Sequence, residues 1–132
     1  MEGGQTNEFR PLILVAEDDD SNFKLIKAII GKKCDIQWAK NGEEIVALFK
    51  EYGNEVKAIL MDIKMPVMNG LDATKIIRGE NKEIPIIMQT AYAFSSDKEN
   101  AMNAGASEVL VKPITLSILR NTLTKYFPEL VW

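Results

Sequence analysis

Ala58-Ile-Leu-Met-Asp-Ile-Lys-Met-Pro-Val-Met-Asn-Gly70 is the stretch whose reading decides the fold. Ala58, Ile59, Leu60 and Met61 form an apolar run short enough for a buried strand. The run stops on a carboxylate, Asp62, and Pro66 and Gly70 then turn the chain before another helix begins. The same plan recurs along the sequence. Leu12 to Ala16 runs into Glu17 and Asp18, Ile86 to Gln89 into Thr90, and Val109 to Val111 into Lys112. If these strands lie parallel, their ends bring carboxylates, a hydroxyl and an ammonium to one rim of a sheet.

Between the strands the apolar spacing turns helical. Asp19, Asp20 or Ser21 caps a helix starting near Asn22, which carries Phe23, Ile26, Ile29 and Ile30 inward and ends at Gly31. Asp35 to Ala39 alternates as an edge strand does. Asn41 and Glu44 form a capping-box pattern ahead of Ile45, Leu48, Phe49 and Tyr52, and Gly53 stops that helix. A third helix covers Leu71 to Gly79, with Arg78 favourable at its C-terminal dipole. Pro85 is confined to the start of the strand Ile84 to Thr90. Ser96 and Glu99 mark a fourth helix with a poor inward face of Ala101, Met102 and Ala104, so this helix should be the easiest to move. Thr115 caps a last helix with Leu116, Leu119, Leu123 and Tyr126 inward, and Pro128 ends the regular structure. Five strands alternating with five helices predict an α/β fold, a parallel sheet with helices on both faces. In such sheets the functional crevice lies beyond the carboxyl ends of the strands.

A length of 132 residues and 46% hydrophobic content suit one ordered domain. The net charge of -3 argues against binding nucleic acid through phosphate contacts. The single cysteine, Cys34, rules out an internal disulfide and fits a reducing compartment. The absence of histidine excludes a histidine phosphodonor, a His–Asp triad and a histidine zinc site within this chain. No apolar run approaches the ~20 residues a membrane span needs, and there is no signal-peptide pattern. The expected location is the cytoplasm, or the cytoplasmic part of a membrane-anchored protein.

Glu17, Asp18 and Asp62 at one rim would repel one another, by about 4 kcal/mol for a pair ~4 Å apart at an effective dielectric of 20. A divalent cation relieves this, and a few hard oxygens open to water suit Mg2+. Lys112 adds a fixed positive charge and Thr90 a donor. Together they make a receptor for a phosphoryl group, with Asp62 placed to attack in line and form an aspartyl phosphate. Taken singly, each residue has an ordinary reading: helix cap, turn carboxylate, strand threonine, loop lysine. Their fall at successive strand ends is what weighs against those readings.

Four motifs then carry a family resemblance: Leu12-Ile-Leu-Val-Ala-Glu-Asp18, Met61-Asp-Ile-Lys-Met-Pro-Val-Met-Asn-Gly70, Gln89-Thr-Ala91 and Ala104-Gly-Ala-Ser-Glu-Val-Leu-Val-Lys-Pro113. In this order and spacing the chain resembles the response-regulator receiver domain of two-component signalling, from about Pro11 to Phe127. The resemblance implies a (βα)5 doubly wound sheet of flavodoxin-like order 2-1-3-4-5. It divides the chain into a flexible tail or linker over 1–10, a receiver domain over 11–128 and a C-terminal tail over 129–132. It implies Asp62 as phosphoacceptor, and Mg2+ held by Glu17, Asp18, Asp62 and the carbonyl of Lys64. Thr90 matches the switch hydroxyl, and Lys112 the lysine that pairs with the phosphoryl group, its bond to Pro113 being cis. The phosphodonor would be a phosphohistidine on a sensor histidine kinase or a histidine phosphotransfer domain. The output face, through which dimers can form, would be the fourth helix, fifth strand and fifth helix, with Lys98, Asn103 and Arg120 as contacts. Glu-Asp as the acidic pair, with Thr90-Ala-Tyr-Ala93, is similar to receivers fused to hybrid sensor histidine kinases. Receivers often carry an aromatic residue three before the lysine. Here that position is Val109, so the loop after Thr90 and the fourth helix would have to carry the signal. Lys64 and Tyr92 match positions that tune water access.

Three other readings compete. A pseudo-receiver would dock a partner without phosphorylation. A haloacid-dehalogenase-like phosphatase wants a second aspartate two residues beyond the nucleophile, where this chain has Lys64. A flavodoxin-like flavin binder wants a Ser/Thr-rich phosphate loop, where this chain has Asp19 and Asp20.

Overall fold

The computed structural model describes residues 9–93 and 95–132. Strands and helices alternate as β1 (Leu12–Ala16), α1 (Asp20–Ile30), β2 (Asp35–Ala39), α2 (Gly42–Tyr52), β3 (Val56–Asp62), α3 (Gly70–Glu80), β4 (Ile86–Thr90), α4 (Asp97–Ala104), β5 (Glu108–Val111) and α5 (Leu116–Tyr126). All five strands are parallel, in the order β2-β1-β3-β4-β5. β1, β3 and β4 are the inner strands, and these are the ones whose sequences are apolar on both faces. β2, with its polar alternation, lies at an edge. Side chains of alternate parity enter two separate cores. Leu14, Ile59, Met61, Ile86 and Met88 pack with α2, α3 and α4. Ile13, Val15, Leu60 and Ile87 pack with α1 and α5.

The register levels the carboxyl ends. Ala16 pairs with Met61, Asp62 with Gln89, and Thr90 with Val111. Glu17 and Asp62 thus follow one row of paired residues. Two glycines fix loops at opposite ends of the sheet, Gly70 at the carboxyl edge and Gly105 ahead of the amino end of β5. A Cβ on Gly70 would collide with the carbonyl oxygen of Asp62, so only glycine lets α3 start this close to the strand end. Gly105 ends α4 at φ 114°, a left-handed conformation, and packs against Arg78.

The helix ends follow their caps, with exceptions. Asp19 is the cap of α1, bonded to the Ser21 amide at 3.0 Å, so the helix begins two residues before the expected Asn22. Asn41 and Glu44 form the expected box, the Asn41 carbonyl accepting from the Glu44 amide and Glu44 reaching back to the Lys40 amide, each at 2.9 Å. Thr115 caps α5 as expected. Ser96 does not cap α4. Its backbone is helical at φ -72° and ψ 0°, and the Asp97 amide bonds instead to Ser95 Oγ. Met102 and Leu116, expected inward, are both 47% exposed. On α4 the buried residues are only Ala101 and Ala104, and on α5 Thr122 takes a buried place beside Leu119 and Leu123. Arg78 does more than meet a helix dipole. It donates to the carbonyls of Gly105 and Asn81 and to Ser107 Oγ, tying α3 to the approach of β5.

Most of the expected tail over 1–10 lies outside the described residues. Phe9 packs against Phe127, and Arg10 donates to the carbonyls of Gly31, Lys32 and Cys34, so these two are anchored. Residues 129–132 hold no helix or strand, but two of them are packed. Leu130 is buried, and the Trp132 indole donates to Thr124 at 2.9 Å. No helix among the described residues is long and apolar enough to cross a membrane.

Candidate functional site

Asp62 reaches the carboxyl edge as the residue that ends the apolar run Ala58 to Met61 of β3, and it is 6% exposed there. Glu17 follows β1, fully buried, its amide bonded to the Ala39 carbonyl at 2.9 Å. Asp18 is exposed. The three carboxylates bring oxygens within 4.8 Å of one another. Lys112, delivered by β5, donates to Asp62 Oδ2 at 2.8 Å and to Glu17 Oε1 at 3.4 Å. Its bond to Pro113 is cis. Asp62, Lys64, Thr90, Tyr92, Asp97 and Lys112 line a pit of about 130 Å3. The predicted residues thus converge, although 95 positions separate Glu17 from Lys112.

The electrostatics follow from this crowding. Burial, then the charge of Asp62, push Glu17 up to about 7, against the opposing pull of the Asp19 amide and Lys112. Burial works against the charged form of Lys112, but its hydrogen bonds and the charges of Asp62 and Glu17 outweigh burial and raise it. Three carboxylates thus crowd one ammonium, Lys112, that bonds to two of them. That donor set, all hard oxygens with Asp18 open to water, fits Mg2+. Buried Cys34 stays apart from this chemistry, its thiol pushed up to about 11 chiefly by burial.

Thr90 behaves differently from the rest. Its hydroxyl donates to Asp97 Oδ2 at 2.9 Å and accepts the Tyr92 amide at 3.0 Å. Across the mouth, Lys64 Nζ stands 4.5 Å from the Tyr92 ring centroid, a cation–π contact. Arg120, expected on an output face, instead donates to the Ile29 carbonyl and lies under the Trp132 ring. Lys98 and Asn103 are exposed as expected.

Sequence reasoning passes over three residues. Trp38 donates to the Glu17 carbonyl at 2.8 Å while its ring stacks on Phe23 at 4.0 Å, bracing the acidic loop. Gln89 sits 2% exposed at the pit wall, its Nε2 without a partner among the described residues. Asp97 holds the Thr90 hydroxyl. An aromatic in an alternating edge strand is the signal for Trp38. The partners of Gln89 and Asp97 depend on how distant segments meet, which local pattern does not encode.

Fold and site together define a doubly wound parallel α/β domain with one acidic, lysine-bridged pit at its carboxyl edge. The chain belongs to the response regulator receiver domain family, whose model matches residues 13–124, and so is a receiver domain of two-component signalling. Among its relatives, hybrid signal transduction histidine kinase I of Dictyostelium discoideum is 38% identical over 89% of this chain, and this chain spans 7% of that protein. The histidine-protein kinase BarA of Escherichia coli is 33% identical over 88% of this chain, which covers 13% of it. The chain thus spans a small fraction of the length of these kinases. Among solved structures, the receiver domain of a Pseudomonas aeruginosa sensor histidine kinase, with magnesium coordinated in its active site cleft, superposes with a TM-score of 0.82 at 30% identity. That match covers 91% of this chain and 99% of the other. A Saccharomyces cerevisiae receiver domain co-crystallised with its histidine phosphotransfer signaling protein matches with a TM-score of 0.82 at 28% identity, over 92% and 93% of the two chains.

Proposed function

We propose that this domain accepts a phosphoryl group from a phosphohistidine partner onto Asp62. The observation that carries the reading is the 2.8 Å bond from Lys112 to Asp62, whose carboxylate converges with those of Glu17 and Asp18. Glu17, Asp18 and Asp62, with the Lys64 carbonyl, are the oxygens to hold Mg2+. Bound there, the ion neutralises charge on the oxygens of the transferring group. An Asp62 oxygen attacks phosphorus, and the phosphorus–nitrogen bond to the donor imidazole breaks, its electron pair returning to the nitrogen. The carboxylate serves as nucleophile without a general base, in keeping with a chain that has no histidine. Lys112 follows the new charge, moving its donors from the carboxylates to a phosphoryl oxygen. Thr90 supplies a second donor once its hydroxyl turns. Tyr92 and Lys64 shield the aspartyl phosphate from water. Phosphorylation is then read on the surface of α4, β5 and α5, where Met102, Val111, Leu116 and Ile118 are exposed, and where a second copy can dock.

The test is labelling by acetyl phosphate, read as the mass increase of one phosphoryl group. Wild type takes the label only with Mg2+, and Asp62→Asn takes none. Wild type that stays unlabelled would point to a docking module that works without phosphorylation.

A further inference from the structure

We infer that Asp97 is a positioning residue of the pit: its carboxylate holds the proton of the Thr90 hydroxyl, so that phosphoryl capture and the anchoring of α4 compete for a single O–H. The inference rests on Asp62 as phosphoacceptor. A hydroxyl has one proton to donate. Here it goes to Asp97 Oδ2, while the Tyr92 amide occupies an acceptor site on the same oxygen. The Asp97 amide donates to Ser95 Oγ at 3.2 Å, and Ser95 Oγ donates to the Tyr92 carbonyl at 3.1 Å. Thr90, Asp97, Ser95 and Tyr92 thus close a ring of hydrogen bonds across the loop between β4 and α4. An arriving phosphoryl oxygen is a charged acceptor in the same pit, and it can recruit the Thr90 proton only by opening this ring.

An acid in a first helical turn ordinarily answers the helix dipole. Asp97 goes further, because its oxygen is spent on the switch hydroxyl. The ring also matters more here than in a well-anchored helix. α4 buries only Ala101 and Ala104, and its N-cap residue, Ser96, makes no side-chain cap bond. The residue three before Lys112 is Val109, which packs into the core and has no ring to turn. A polar link from Thr90 to Asp97 therefore does the work of coupling the pit to α4.

Asp97→Ala and Asp97→Asn test this. Without any phosphodonor, Asp97→Ala should raise hydrogen exchange of the α4 amides several-fold, and Asp97→Asn, which keeps an acceptor oxygen, should restore protection. With Mg2+ and acetyl phosphate, Asp97→Ala should label about tenfold faster, the equivalent of one charge-assisted hydrogen bond no longer being broken. In a Thr90→Ala background the Asp97→Ala change should add nothing to either readout. The inference falls if Asp97→Ala matches wild type in both readouts, or if its effect persists undiminished without the Thr90 hydroxyl. Labelled wild type with an indifferent Asp97→Ala defeats this inference alone. Wild type that takes no label defeats the phosphoacceptor reading as well.

Discussion

At Glu17 a fully buried carboxylate lies beside a second one, and its proton affinity is raised to about 7. The unfolded chain holds that proton only below its ordinary value near 4.5. Between these limits the native state binds a proton that the unfolded state lacks. The stabilisation is complete below the lower value and is lost as pH rises through the upper one. Thermal midpoints measured in chelator should therefore drop for wild type relative to Glu17→Gln as pH rises from about 6 to about 8. Tyr92 supports a second prediction. Half-exposed at the pit mouth and paired with Lys64, it would stand in the way of water attacking an aspartyl phosphate at Asp62. Tyr92→Ala should shorten the phosphoryl lifetime several-fold, followed as decay of the labelled mass; an unchanged half-life would remove that role. Of the site, Asp62, Glu17, Thr90 and Lys112 are legible in the sequence because each closes an apolar run, and Asp18 because it directly follows one of them. Asp97 is not, since nothing near it in sequence names a hydroxyl seven residues earlier as its partner.

The helices differ in how firmly they are held. α5 sets Leu119 and Leu123 wholly into the core, whereas α4 buries two alanines. Leu119→Ala should cost about 2–5 kcal/mol of stability in denaturant unfolding, by lost transfer energy and a residual cavity. Met102→Ala, on the exposed side of α4, should stay within about 0.5 kcal/mol of wild type. Helical spacing marks Met102 and Leu116 as inward in the sequence, yet spacing alone cannot tell an apolar stripe that meets a core from one that runs past its margin. The Ser96 and Glu99 pattern misleads for a related reason. A cap needs extended backbone, and the ring through Ser95 sets Ser96 in a helical turn. Where the capping residue enters from a strand or an unconstrained loop, as at Asn41 and Thr115, pattern and structure agree.

For the molecule as a whole, the alternation of strand and helix is written in the periodicity, but the order of strands is not. Parallel neighbours are chosen by crossovers and by packing on both faces, so order 2-1-3-4-5 is implied by the family resemblance alone, and it is the order the sheet adopts. Because the carboxylate cluster joins the ends of β1 and β3, an ion bound there would tie two central strands together and not one loop. Mg2+ at a hundredfold excess over its dissociation constant should add about 2.7 kcal/mol, seen as a higher calorimetric midpoint. Asp18→Asn should lose most of that response.

The indole of Trp38 offers a practical return on its place in the fold. One end grips the backbone that carries Glu17, and its face lies flat on Phe23. The other tryptophan, Trp132, is bonded to Thr124 on α5. The domain therefore carries its own optical gauge, a fluorophore wired to the acidic loop with no dye or tag between them.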